Sequence, residues 1–455
     1  MKLPETPPDW LKIFGRDSVK ILPFLSSPEA RTSVAHANDE YLPWEKAKYL
    51  TIPQGMTTEH LWVLIKIARS VKTQTLPLVD IKGQPFGFWL PDSVLRELHF
   101  IDQNAGGRIT FDRPDLSPEA RDRYLISSLM EEAIASSQIE GAATTRKVAK
   151  EMLRTGRPPN NHAERMIRNN YLTIGKIKQF LKQPLTFDIL HELQRSMTEG
   201  TLEDPSAVGR FRMEGEAVEV IDENDGQTLH TPPPAADLPA RMEKFLSFAN
   251  DRTDKPFIHP VIRGIILHFW LAYEHPYVDG NGRTARAIFY WYMLSRDYWL
   301  FEFLSISRII QRSIGQYAKA YLHAERDGLD MTYFLVYHIR AIRLSLEELH
   351  RYLKRKQEEA RHAERLLRRA SGLNYRQQAL LQHALKHTEA KYTILSHRNS
   401  HNIAYGTSRS DLLSLARRKY LRKKKNGRIY YFEVYEDLVE KLGLTEREIR
   451  KENNR

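Results

Sequence analysis

The chain has 455 residues, more than a single hydrophobic core usually serves, so two or three domains are expected, and its 41% apolar content argues against a disordered protein. It has no cysteine, which excludes disulfides, thiolate zinc sites and a cysteine nucleophile and fits a reducing, cytoplasmic interior. The formal net charge is +12, and from Arg351 onward 26 basic residues stand against 12 acidic ones. The excess therefore lies in the last quarter, a candidate for contact with nucleic acid or another polyanion.

Met1 to Gly15 does not read as a signal peptide. The longest apolar stretch, Ile262 to Tyr273, is interrupted by Arg263 and His268 and falls short of the roughly 20 residues a membrane span needs, so it predicts a buried helix and no membrane partner. Before Ser117 the pattern mixes short strands and helices without assignable chemistry; Leu78 to Leu90 predicts two strands around a glycine-containing turn. A helix is expected from Ser117, at its N-cap, to near Gly141. Helices follow over Ala163 to Leu181 and Phe187 to Met197, then a hairpin with Val218, Val220 and Ile221 on one strand and Thr228 to His230 on the other, around Asp222 to Gly226. Further helices are predicted over 238–249, 262–273, 284–294 and 307–325, and from Thr332 into a charged linker.

The twelve residues from His275 to Arg286 carry the chemistry. Gly280, Asn281 and Gly282 permit a tight turn whose N–H groups can approach an anion, at the positive end of the helix that follows. Arg283 and Arg286, three apart, share one face of its first turn and suit phosphates. Asp279 offers a hard oxygen for magnesium, and His275 is the natural acceptor of a proton from an attacking hydroxyl. Tyr277 reads as an apolar anchor for the loop. Together these point to an enzyme handling nucleotide phosphates.

This segment resembles the signature of the Fic (Fido) family, His-x-Phe-x-Asp/Glu-Gly-Asn-Gly-Arg-x-x-Arg, with Tyr277 where Phe is usual. Gly209-Arg210-Phe211-Arg212 and the hairpin before Pro232 resemble the family's target-binding flap, and Ser305 to Gly328, with Tyr317, the helix bordering its adenine pocket. The resemblance implies a protein adenylyltransferase that moves AMP from ATP to a Ser, Thr or Tyr hydroxyl of a target protein. His275 would be the base, Asp279 the Mg2+ ligand, Asn281 and the neighbouring amides the α-phosphate cradle, and Arg283 and Arg286 the holders of the outer phosphates. Ser136, Glu140 and Gly141 match the family's inhibitory helix, whose glutamate would occupy Arg286. Two alternatives stay open: an AMP-removing hydrolase that uses Glu140, or a DNA-binding regulator with a nucleotide-sensing core.

After Ser371-Gly372 three short helices over 376–385, 394–399 and 408–420, then a strand over 428–434, predict a winged helix-turn-helix, an appendage of longer bacterial relatives. Arg409, Arg417, Lys423, Lys424, Lys425 and Arg428 are its candidate nucleic-acid contacts, and DNA, protein and a second copy of the chain are its candidate partners. His387, His397 and His401 have no framing carboxylate or cysteine and read as surface histidines rather than metal ligands. The expected fold is mainly α: an N-terminal region over 1–116, a Fic-type core over 117–350 with inhibitory helix 117–141 and flap 209–234, a helical linker over 351–370, the winged domain over 371–440 and a charged tail over 441–455.

Overall fold

A computed structural model describes residues 2–106, 118–216, 218–222, 226–251, 256–367, 372–426 and 429–442; Ser117, the middle of the turn over 223–225, Arg428 and most of the charged tail lie outside them. Helices dominate, and among the described residues none is long and apolar enough to cross a membrane.

Helices α1 (Trp10–Ile21), α2 (Pro28–Asp39), α3 (Trp44–Ala47) and α4 (Thr58–Ser70) form an N-terminal bundle. Asp9, Ser27 and Thr57 start three of them by accepting the backbone N–H three residues on. Ile21, Leu61, Trp62 and Ile65 fill its small core. Strands β1 (Gln74–Val79) and β2 (Pro85–Phe88) then form the expected antiparallel pair, and α5 (Asp92–Ala105) follows. The bundle is latched to a distant part of the chain: buried Arg69 donates to Asn38 at 2.8 Å and to the Tyr333 hydroxyl at 2.7 Å, and Lys66 pairs with Asp327 at 3.0 Å. This gives the N-terminal segment a packing role that its sequence does not announce.

The central region runs α6 (Pro118–Ile139), α7 (Arg146–Thr155), α8 (His162–Ile177), α9 (Phe187–Thr198), the antiparallel pair β3 (Val220–Ile221) and β4 (Thr228–His230), then α10 (Leu238–Asn250), α11 (Pro260–Glu274) and α12 (Asn281–Ser295). Helix α11 is buried on almost every side, as its apolar run requires, and packs directly on α12. Helix α7 is absent from the sequence reading because its buried stripe is only Ala149, Met152 and Leu153; Glu131 of α6 accepts from Arg146 and Lys150 and ties the two helices into a hairpin. The single helix expected over 307–325 is two, α13 (Ile306–Arg312) and α14 (Ile314–Arg326). Ser313 breaks it at φ −131°, ψ 36°, where its hydroxyl bonds back to the Ile309 carbonyl and reaches the Tyr337 hydroxyl at 2.8 Å. Helix α15 (Thr332–Leu367) carries the core into the charged linker without interruption.

The last module comprises α16 (Tyr375–Lys386), β5 (Lys391–Thr393), α17 (Ile394–His401), α18 (Tyr405–Arg417), β6 (Leu421–Asn426), β7 (Ile429–Val434) and α19 (Leu438–Lys441). Its antiparallel sheet has the order β5-β7-β6, and Leu381, Leu412, Leu415 and Phe432 make a core separate from the central one. The lysine run lies on strand β6. Helix α17 seats on the α6–α7 hairpin, where the Asn399 amide donates to the Arg154 carbonyl at 3.2 Å.

The histidine reading needs correction. His387 is exposed, but His397 and His401 are buried, and a carboxylate does face His397: Asp411 lies 3.3 Å from its Nε2 and also accepts from Asn374 at 2.7 Å and Arg376 at 2.6 Å. Asp411 stands 14 positions after His397 in the chain, and only folding brings α16, α17 and α18 together around it. Burial works against its charge, but the donors from His397, Arg376 and Asn374 outweigh burial and hold the carboxyl well below the usual range. Asp411→Ala should therefore cost this module about 2 kcal/mol, read as a lower urea midpoint for its unfolding, because it removes the shared acceptor of Asn374, Arg376 and the buried His397 ring.

Candidate active site

Helix α11 ends on Glu274, and His275 caps it in the left-handed region at φ 46°, ψ 55°, with its N–H on the Leu271 carbonyl at 3.0 Å. A side chain in that conformation costs about 1 kcal/mol or more and persists only where its surroundings enforce it. Arg212 enforces it here. Its Nε donates to the His275 carbonyl at 2.9 Å, its Nη2 reaches the carbonyls of Pro233 and Glu274, and its own N–H donates to the Pro276 carbonyl at 2.8 Å. The histidine ring sits with Nδ1 3.2 Å from the Ala272 carbonyl. A carbonyl can only accept, so Nδ1 carries the proton and Nε2 keeps its lone pair. Burial, with a smaller contribution from nearby His230, lowers the His275 pKa to about 4, leaving the ring neutral near pH 7.

The loop is closed from inside. Tyr277 is fully buried, its hydroxyl 3.3 Å from His191, and the Asn281 side chain both accepts from the Tyr277 N–H at 2.9 Å and donates to its carbonyl at 2.8 Å. Gln194 holds the Asp279 carbonyl at 3.1 Å. Gly280 sits at φ 83° with no room for a Cβ, which would fall 2.8 Å from Thr198. The first helical bond of α12 runs from Thr284 to the Gly280 carbonyl at 2.9 Å, so the amides of Asn281, Gly282 and Arg283 lie at the open, positive end of the helix.

Asn281 and Arg283 both turn toward the protein. The Asn281 side chain is taken up by the Tyr277 backbone, which leaves the N–H groups at the start of α12 facing outward. Arg283 is buried and turned inward, with Nη1 3.2 Å from the Met197 carbonyl and Nη2 3.0 Å from Asp279. It braces the loop and shares no partner with Arg286.

Arg286 faces α6. Its Nε donates to the Ser136 hydroxyl at 2.8 Å, and its Nη2 reaches the Ser136 carbonyl at 2.9 Å and Glu140 Oε1 at 2.8 Å. Burial opposes the charge of Arg286, and Glu140 restores it. The same carboxylate covers the start of α12: a Cβ on Gly282 would lie 2.2 Å from Glu140 Oε1. Four residues before Ser136, Glu132 fixes the helix by accepting from the Ser305 hydroxyl at 3.2 Å, the Ser307 N–H at 3.0 Å and the Ser307 hydroxyl. The spacing of four puts Glu132 and Ser136 on one face of α6, and Glu140, the residue just past its end, reaches the same guanidinium as Ser136. Gly141, at φ 86°, turns the chain away after this face.

The Fic/DOC family model matches residues 184–293, a segment that includes His275, the glycine loop, Arg283 and Arg286. The chain carries a Fic/DOC domain over those residues. Over 59 residues, 13% of this chain, it is 37% identical to the protein adenylyltransferase Fic of Drosophila willistoni and 39% identical to that of Nematostella vectensis. The stretch is 12% and 14% of those proteins, so the chain matches about an eighth of the length of these curated relatives. Among solved structures, a Fic family protein from Desulfovibrio desulfuricans G20 aligns with a TM-score of 0.48 and 17% identity over 75% of this chain and 94% of that one. Fic-1 of C. elegans aligns with a TM-score of 0.45 and 15% identity over 74% and 93%.

Behind Arg286 in the Fic core lies a set of rings that the sequence reading only touched. The Tyr317 hydroxyl is 3.1 Å from both His268 Nε2 and the Tyr321 hydroxyl, and the His268 and His338 rings are 4.8 Å apart. Burial pushes both histidines down, His338 to about 3, so both are neutral. In the sequence His268 only interrupts an apolar helical run, a pattern that does not distinguish it from core. The β3–β4 pair is pinned near the end of α11: His230, opposite Val220, holds the Tyr273 carbonyl at 2.8 Å and Glu325 at 2.9 Å. Ile221 pairs with Thr228 and is exposed, whereas Val218 lies outside both strands. Arg409, Arg417 and Lys423 to Lys425 belong to the separate C-terminal module.

Proposed function

We propose that this Fic protein transfers AMP from ATP to a Ser, Thr or Tyr hydroxyl of a protein, and that Glu140 holds it inactive. The observation that carries the reading is the Glu140 carboxylate, bonded to Arg286 and lying against Gly282 at the helix end where a phosphate would otherwise bind. In the transfer, the acceptor hydroxyl oxygen attacks the α-phosphorus as the bond to the β-phosphate oxygen breaks and pyrophosphate leaves. The hydroxyl proton passes to Nε2 of His275, which the Ala272 carbonyl leaves unprotonated. Backbone amides at the start of α12 and the Arg286 guanidinium take up the negative charge.

Asp279 suits a magnesium ion: its carboxylate is about half exposed at 47%. Among the described residues no cluster of three ligating side chains exists, so phosphate oxygens would complete the ion's shell. Such an ion would offset charge on the departing pyrophosphate.

Exposing the Glu140→Gly form to a cell lysate with ATP and mapping modified peptides by mass spectrometry tests the reaction. The expected product is an AMP adduct on a hydroxyl side chain; an adduct of any other mass overturns the nucleotide assignment. Arg212→Gln should lower kcat about tenfold with little change in the KM for ATP, because it loosens the backbone that aims His275 without touching the phosphate cradle.

A further inference from the structure

We propose that the face shared by α18 and β6 binds duplex DNA. The order α16, β5, α17, α18, β6, β7 with sheet order β5-β7-β6 presents one helix and one hairpin side by side. Only one side of the helix pair is open, since α17 is seated on α6 and α7 of the same chain. Between α18 and β6 lies a groove of about 480 Å³ lined by Arg409, Ser410, Arg417 and Lys423, with Gly406 and Ala416 among its smaller walls and no carboxylate. All four of those polar residues are exposed.

The hairpin sorts its charges by strand alternation. Lys424 points to the side where Glu433 meets it at 2.7 Å, while Lys423 and Lys425 go to the other, toward α18. There Lys423 stands 4.0 Å over the Tyr430 ring and Lys425 5.7 Å from it, which steadies the ammonium groups without neutralising them. A helix with exposed arginines near its start and in its last turn, beside Lys423 and Lys425 with no carboxylate facing them, matches a protein that lays a helix in the major groove and a wing along the phosphates. Arg409 and Ser410, near the start of α18, are placed for base edges or the nearest phosphates; Arg417 and Lys423 are placed for the backbone.

The test is fluorescence anisotropy of the full chain with a fluorescein-labelled duplex of about 20 base pairs and random sequence, across a salt series. Binding that weakens steeply with salt is expected. Replacing Arg409, Arg417 and Lys423 together by alanine should weaken it at least about tenfold at low salt and flatten the dependence of log K on log salt by about 3. These positions are exposed, so an unchanged thermal melt is expected for the variant; Lys423→Glu, altering one strand position, gives a second reading with a smaller loss. No anisotropy change at low salt, parent-like binding by both variants, or equal binding of the single strand would each overturn the proposal. AMP transfer is not part of the readout, so its failure would be separate.

Discussion

Replacing Glu140 by glycine should raise incorporation of AMP from labelled ATP into protein by about ten- to a hundred-fold. A hydrogen bond between charged groups contributes about 1.5 to 3 kcal/mol, and that is the hold Glu140 has on Arg286. Glycine removes the carboxylate from two places at once, the guanidinium and the amides beside Gly282. It also ends α6 no less readily than glutamate does, since the chain already turns at Gly141. Glu140→Gln is the sharper control: it keeps the shape and loses the charge, so it should release only part of the inhibition. Equal incorporation by the parent and the glycine form would remove Glu140 from the regulatory scheme.

His275→Ala should have the opposite and larger effect, a loss of about a hundred- to ten-thousand-fold in transfer, measured best in the Glu140→Gly background, while ATP binding by calorimetry stays near its parent value. The pH dependence follows from the direction of the shift. With its folded pKa near 4, His275 is already neutral through the physiological range, so transfer should be flat with respect to this group there and fall only as pH approaches about 4. Stability carries the same signature. Between about 4 and the ordinary value of 6.5 the unfolded chain binds more protons at this position than the folded one, so stability rises with pH across that window. His275→Ala should flatten that rise in a urea series run at several pH values.

Much of the site can be read from residue order because its parts are close in sequence. Within twelve residues the spacing constrains the geometry, and His275, the loop glycines and Arg286 gather at the junction of α11 and α12 as that order implies. Glu140 is 146 positions from Arg286, yet its pairing also follows from the order, because the inhibitory element has its own short pattern. What the order leaves open is which way a polar side chain turns. Asn281 and Arg283 look like phosphate ligands by type and position, but Tyr277 and the Met197 carbonyl lie within their reach and claim them. Arg212 is hidden for a related reason: its task is to hold carbonyls of residues about sixty positions away. Helix α7 and the break at Ser313 mark the same limit in the fold, since one has too short an apolar stripe and the other depends on a hydroxyl finding Tyr337.

Ser136 gives the arrangement a further property. Its hydroxyl and carbonyl take Nε and Nη2 of Arg286 independently of Glu140. When the glutamate swings aside, the guanidinium does not regain its freedom; it stays aimed by two bonds to a helix that Glu132 anchors to the segment at Ser305 and Ser307. Under the proposed scheme the resting and working forms would then differ by the torsion angles of one side chain, and the ordering of the arginine would be settled when the protein folds rather than each time a nucleotide arrives.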